Sequence, residues 1–276
     1  MRLQCCEAGI ETPVTTAPDL GPRGKVATAL CLTAVGGFVD AVGYIALFEV
    51  FTANMSGNSV HVGMYLGQRN WLQLLRPFCA IVSYVVGMTL TRITVEIAGR
   101  KGIRRIASFT LAVEAALLVL FARATPAMHL GQIVDLSSPQ YFALVALLAF
   151  AMGVQTATLT HVGALTIYTT FVTGTLTKLT ESFTRVLFWG YDQLRQTRIS
   201  DIVRLAPRQR DVQEGAMLAS TWSCYVLGAA VGTVVKQRWE LRALYVPVVV
   251  LIIFIVVDLF RPIDVEEERH QTGAVR

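Results

Sequence analysis

Residues 26–48 read VATALCLTAVGGFVDAVGYIALF, and a single charged side chain, Asp40, interrupts them. An apolar run of this length matches the hydrocarbon core of a bilayer, about 30 Å thick, which a helix of about 20 residues crosses. Directly after it comes FTANMSGNSVHVGMYLG, residues 51–67, which is polar and glycine-containing. The pairing of a spanning-length run with a polar segment organises the rest of the chain. Five further runs meet the same length criterion, at about 77–97, 106–122, 140–160, 216–235 and 243–260. A second less apolar segment, about 163–188, is dense in threonine and includes TTFVTGTLTKL from Thr169 to Leu179.

The composition agrees with a lipid solvent. Hydrophobic residues make up 54% of the 276 residues and charged residues only 16%, and the mean hydropathy is +0.54. A soluble chain carries roughly 25% charge, so this one could not clothe a water-facing surface. These numbers exclude a disordered chain, a coiled coil and an ordinary soluble enzyme. The fold class expected is all-α, a polytopic integral membrane protein with six to eight membrane-embedded helices. Residues 1–24 and 261–276 read as polar tails around one membrane domain, 25–260. The net charge of +5 belongs to loops and forms no stripe along a helix, so nucleic acid is not an expected partner. The bilayer is the partner, with a small solute or a proton as possible ligands; oligomeric state is left open.

The chain repeats itself weakly. Ser83-Tyr84-Val85-Val86-Gly87 matches Cys224-Tyr225-Val226-Leu227-Gly228, and TANMSGNS from Thr52 matches TTFVTGTL from Thr169. The two matches keep the same order, so two sequence-related halves are expected, about 25–123 and 140–260, the second with an added polar loop at about 190–214. If neither polar segment crosses, there are six crossings. Arg100, Lys101, Arg104, Arg105 and the basic loop with Arg195, Arg198, Arg204, Arg208 and Arg210 then face the cytoplasm, where basic loops concentrate. If both cross, there are eight and the 100–105 cluster falls outside. Three crossings per half would invert the halves, and four would leave them parallel.

Polar residues inside the apolar runs are the candidates for function. Asp40 would cost at least about 2.5 kcal/mol as an isolated intramembrane charge. It therefore marks either a cavity or a structural hydrogen bond. Asn54, Ser56, Gly57, Asn58 and His61 concentrate amides, a hydroxyl and an imidazole in the first polar segment. Thr173, Gly174, Thr175 and Lys178 stand in the second. Gly-interrupted polar segments at matching places in two halves point to a transporter site. The plainer reading is that they glue helices together. Asp40 or His61 could exchange protons, His61 because imidazole titrates near neutral pH. Glu114, within LAVEAALLVL, needs a partner from elsewhere in the chain, with Lys178 a candidate. Gly228-x-x-x-Gly232 and Gly63-x-x-x-Gly67 are packing patterns.

No H-E-x-x-H, G-x-S-x-G or G-x-x-x-x-G-K is present, so the chemistry of metalloproteases, serine hydrolases and phosphate-loop enzymes has no motif here. The five cysteines have no metal-ligand spacing. No cofactor and no enzyme activity are expected. A small secondary transporter of the bacterial inner membrane is the leading expectation. A non-catalytic membrane partner or sensor, using the basic loop 190–214, is the alternative. An enzyme acting on a lipid-like substrate, with Asp40 and His61 as acid and base, comes third.

GGFVDAVGY from Gly36, followed by F-x-x-x-M-S-G-N-S from Phe51, resembles the start of the YoaK-type family of uncharacterised bacterial integral membrane proteins. The resemblance covers about 25–260 and takes in Thr169–Leu179 and the closing Asp258-x-x-Arg261-Pro262. The family pattern commonly has threonine where this chain has Ser56, and loop 190–214 is longer than usual. The resemblance implies a membrane protein and no particular substrate or catalytic residue.

Overall fold

The computed structural model describes residues 21–101, 105–129, 136–159, 172–195 and 199–261, so most of both expected tails lies outside the described residues. Those residues are helical and contain no strand. In chain order the helices are α1 (Pro22–Ala46), α2 (Met55–Gly67), α3 (Trp71–Arg100), α4 (Ile106–His129), α5 (Pro139–Leu159), α6 (Val172–Leu194), α7 (Ile199–Leu205), α8 (Arg210–Trp239) and α9 (Tyr245–Phe260). Short 3-10 turns, Ala206–Arg208 and Glu240–Leu244, precede α8 and α9. Each apolar run of the sequence falls largely on one long helix, with ends moved by one or two residues. Five stretches are long and apolar enough to span a membrane, and the last of them, Arg210–Phe260, contains both α8 and α9.

Local chemistry sets the starts. Proline opens α1 and α5, where its missing N–H leaves no helical bond unmade. Asn54 caps α2 and Asn70 caps α3, each side chain accepting a backbone N–H three residues on. With 13 residues, α2 is about 20 Å long, too short to cross the hydrocarbon core. The segment 190–214 was expected to be a loop, and it is largely helical. The end of α6, all of α7 and the 3-10 turn at Pro207 fill it.

Side-chain contacts give the helix directions. Tyr141 near the start of α5 donates to Leu47 O just past the end of α1 (2.7 Å), and Gln155 near the end of α5 donates to Leu32 O on α1 (3.2 Å). These two helices are therefore antiparallel. Gly228 packs on Ala34 and Gly232 on Phe38, so α8 runs parallel to α1. Cys79 contacts Phe142 O (3.7 Å) and Gly87 packs on Phe150, so α3 runs parallel to α5. It follows that α1 and α3 point in opposite directions, and the chain through α2 makes no net crossing. The same holds between α5 and α8. Ser108 bonds Asp258 and Arg123 bonds the Tyr245 hydroxyl, so α4 and α9 are antiparallel.

The two closest contacts, α1 on α8 and α3 on α5, are built alike. A Cβ on Gly37 would lie 2.1 Å from Tyr225 O, and one on Gly228 would lie 2.0 Å from Ala34 O. A Cβ on Gly153 would lie 2.3 Å from Tyr84 O, and one on Gly87 would lie 2.5 Å from Phe150 O. Each pair thus brings bare backbone against a carbonyl in both directions, an approach only glycine allows. Gly63 and Gly67 meet nothing within 4 Å, so their spacing serves no such contact. Leu32, Val39, Val42, Leu118, Phe121, Leu148, Met152 and Leu251 form the buried core. Phe78, Val82 and Ile93 on α3 and Val249, Ile253 and Val256 on α9 are exposed. Such stripes are favourable against acyl chains and unfavourable against water.

Candidate functional site

Asp40 lies six residues before the end of α1 and is 4% exposed. Its Oδ1 accepts from Thr52 N (2.8 Å), Ala53 N (2.8 Å) and the Thr52 hydroxyl (3.1 Å). Its Oδ2 accepts from the Tyr225 hydroxyl on α8 (2.7 Å). Four donors converge on one carboxylate, which offsets the cost of burying it. The chain between α1 and α2 needs this anchor. After Leu47 it passes through Phe48 (φ 51°) and Glu49 (φ 69°), left-handed conformations that cost non-glycine residues of order 1 kcal/mol or more each. The carboxylate then ties down the two backbone N–H groups that follow.

The first polar segment completes the same turn. Asn58, fully buried, donates to Phe51 O (2.7 Å) and accepts from Phe51 N (3.1 Å). Its amide thus pairs with both polar groups of one residue, as a neighbouring strand would. Asn54 accepts from the Ser56 hydroxyl (2.7 Å) and from Gly57 N (3.3 Å). At Gly57 a Cβ would stand 2.8 Å from the Phe51 ring, so glycine lets that ring lie against α2. His61 packs on Phe51 and Tyr65, with ring centroids 6.3 and 6.2 Å away, and Tyr44 packs on the other side of Phe51 at 4.4 Å. Asp40, Asn54, Ser56, Gly57, Asn58 and His61 are therefore gathered around one turn centred on Phe51, with Asp40 bonded to Thr52, Ala53 and Tyr225.

The second polar segment is placed elsewhere. Gly174 and Lys178 are exposed on α6 and Thr175 is buried, while the side chain of Thr173 and all of His161 lie outside the described residues. Whereas α2 rests on α3, α6 rests on α8. Ser182 donates to Asp211 O (2.6 Å), and Arg185 pairs with Asp211 (2.7 Å) and Glu214 (3.5 Å) at the start of α8. Thr177, Thr180, Glu181, Thr184 and Arg185 line an open groove there. By the helix directions, this is the end of the bundle opposite to the Phe51 turn. The expected Glu114–Lys178 pair is absent. Lys178 is exposed, and Glu114 is fully buried with no hydrogen-bond partner among the described residues.

Two buried polar ties escaped the sequence reading. In the sequence Tyr225 stands out only within a repeat, and Asp258 only within the closing Asp258-x-x-Arg261-Pro262. Asp258 is fully buried and accepts from Ser108 N (3.1 Å) and the Ser108 hydroxyl, joining α4 to α9. Its spacing to Arg261-Pro262 was the available signal.

Long apolar helices, exposed apolar belts and internally satisfied polar turns define a polytopic α-helical membrane protein. The chain belongs to the family described as protein of unknown function (DUF1275), which matches residues 28–257. It is 31% identical over 186 residues to the UPF0700 transmembrane protein YoaK of Bacillus subtilis (strain 168), an alignment covering 66% of this chain and 75% of that one. The family match takes in Asp40, the Phe51 turn, α6 and Tyr225. No solved structure matches the chain.

Proposed function

We propose that the protein is a small secondary transporter of the bacterial inner membrane, built from two inverted halves, α1–α4 and α5–α9. The observation that carries this reading is the pair of matched glycine contacts. Gly37 and Gly153 each stand three residues after the carbonyl donor of their helix, Ala34 or Phe150, and Gly87 and Gly228 each stand three after Tyr84 or Tyr225. Exchanging the halves turns one contact into the other. Since α1 and α5 are antiparallel, the exchange is an inversion across the membrane, with three crossings on each side. Inverted repeats of this kind are common in transporters that expose a central site to one side and then the other.

Orientation follows from charge. Arg100, Lys101, Arg105, Arg204, Arg208 and Arg210 share the end at which α1 begins, which we assign to the cytoplasm. The Phe51 turn then faces the outside and the part of α6 around Ser182 and Arg185 the inside. In this reading the first segment (Asp40, Asn54, Ser56, Gly57, Asn58, His61) and the second (Thr173, Gly174, Thr175, Lys178) are gates at opposite ends of one path. The solute passes unchanged, with no enzymatic step. The Asp40–Tyr225 bond joins α1 of one half to α8 of the other and would break or re-form as the halves move.

The test is uptake into proteoliposomes from a panel of small polar solutes under an imposed pH gradient. Accumulation of at least one solute, slowed by Asp40→Asn or Tyr225→Phe, supports the reading. A panel in which nothing moves, together with variants indistinguishable from the parent in cells, removes its basis.

A further inference from the structure

Glu114 sits on the central buried stripe of α4, between Leu111 and Leu118, and is fully buried. Both its carboxyl oxygens lack a hydrogen-bond partner among the described residues. Gln155 on α5 is also fully buried. Its Nε2 is used by Leu32 O, but its Oε1 has no donor. Both polar atoms of Gln155 face α1, its Oε1 standing 3.2 Å from where a Cβ on Gly36 would be, so the Glu114 carboxyl is left without a donor among the described residues.

We propose that Glu114 forms a proton-binding site in the buried core of the bundle. An ionised carboxylate without a donor or counter-charge is the most costly group a core can hold, whereas a neutral acid costs far less. Uptake of one proton by a Glu114 oxygen cancels the charge. No charged or titratable group among the described residues of the elements packed against α4 bonds its carboxyl. On α5, Tyr141 donates to Leu47 O. On α9, the Tyr245 hydroxyl is bonded by Arg123 and Asp258 by Ser108. Glu240 and Arg242 lie in the turn at the far end of α8. On α3, Arg76 lies over the Tyr141 ring with its guanidinium carbon 5.7 Å from the centroid, Glu96 and Arg100 pair with each other on the exposed surface, Arg92 is half-buried and Tyr84 is a buried phenol. Asp40 is the opposite case, since four donors bond its carboxylate. Within the transporter reading, Glu114 would therefore be the residue that carries the coupled proton, but its protonation does not require that any solute be moved.

Infrared spectroscopy of the full chain in lipid nanodiscs tests this without a substrate. At neutral pH the parent should show the carbonyl band of a carboxylic acid in an apolar setting. Glu114→Gln should lose it, and Asp40→Asn should keep it. Glu114→Gln mimics the neutral acid in shape, so it should assemble and melt no lower than the parent. A parent spectrum without a band that Glu114→Gln removes overturns the proposal. So does a Glu114→Gln protein that fails to assemble, because that is the behaviour of a broken ion pair. Failure of the solute panel with the band present would sink transport and leave the proton site standing.

Discussion

In the proposed arrangement of two halves, the halves agree where helices touch and differ where the chain turns. In the first half, Asp40 stands three residues after Gly37 and anchors the segment that follows. In the second, the residue three after Gly153 is Thr156, whose hydroxyl bonds Met152 O on its own helix (2.9 Å). The first half therefore ends α1 in a turn locked by a carboxylate and by Asn58. The second half carries no carboxylate at that place, and α6 lies amphipathic along α8, with Leu176, Phe183, Leu187 and Leu194 exposed. Contacts between helices tolerate little change, because they are made of backbone. The turns are free to specialise, and a difference in function between the two membrane faces is most economically sited there.

The largest expected effect comes from removing the anchor. Asp40→Ala strands two backbone N–H groups and two hydroxyls in a buried place and should cost about 3 kcal/mol, read as a shift of the unfolding midpoint in mixed micelles. Next come the shared contacts. Gly228→Val and Gly87→Val each drive a side chain into a carbonyl and should cost about 2–3 kcal/mol apiece, whereas Gly63→Ala in α2 should be neutral or gain up to about 1 kcal/mol. A much smaller cost at Gly87 than at Gly228 would break the equivalence of the halves. Tyr225→Phe removes one bond to Asp40 while leaving the other three, with an expected loss of about 1 kcal/mol. Smallest is Thr156→Val, below about 0.5 kcal/mol, because the hydroxyl only doubles a bond on a carbonyl already used by the helix. A loss at Thr156 as large as that at Asp40 would erase the contrast between the turns.

Much of the fold was legible because lipid imposes a length. Residues 26–48 became α1, Pro22–Ala46, and 243–260 became α9, Tyr245–Phe260, with ends moved by a few residues where caps and turns decide. The polar residues were legible as a group, and their use was not. An asparagine amide binds a ligand and a backbone with the same atoms. At Asn58 the nearby Phe51 backbone takes both, and nothing in the spelling TANMSGNS says so. Tyr225 is 185 residues from Asp40, beyond any local pattern. Segment 190–214 read as a loop because it is polar, but polarity on one face of α6 and α7 is compatible with helix.

The proposed opposed directions of the two halves are reached most directly by labelling of single cysteines in intact cells. In a background lacking the five native cysteines, Lys101→Cys and Arg208→Cys should react with a membrane-impermeant maleimide only after permeabilisation, and Arg69→Cys and Arg238→Cys should react from outside. Lys101→Cys and Arg208→Cys found on opposite faces would mean that the polar segments cross the membrane, and the inverted arrangement would be wrong.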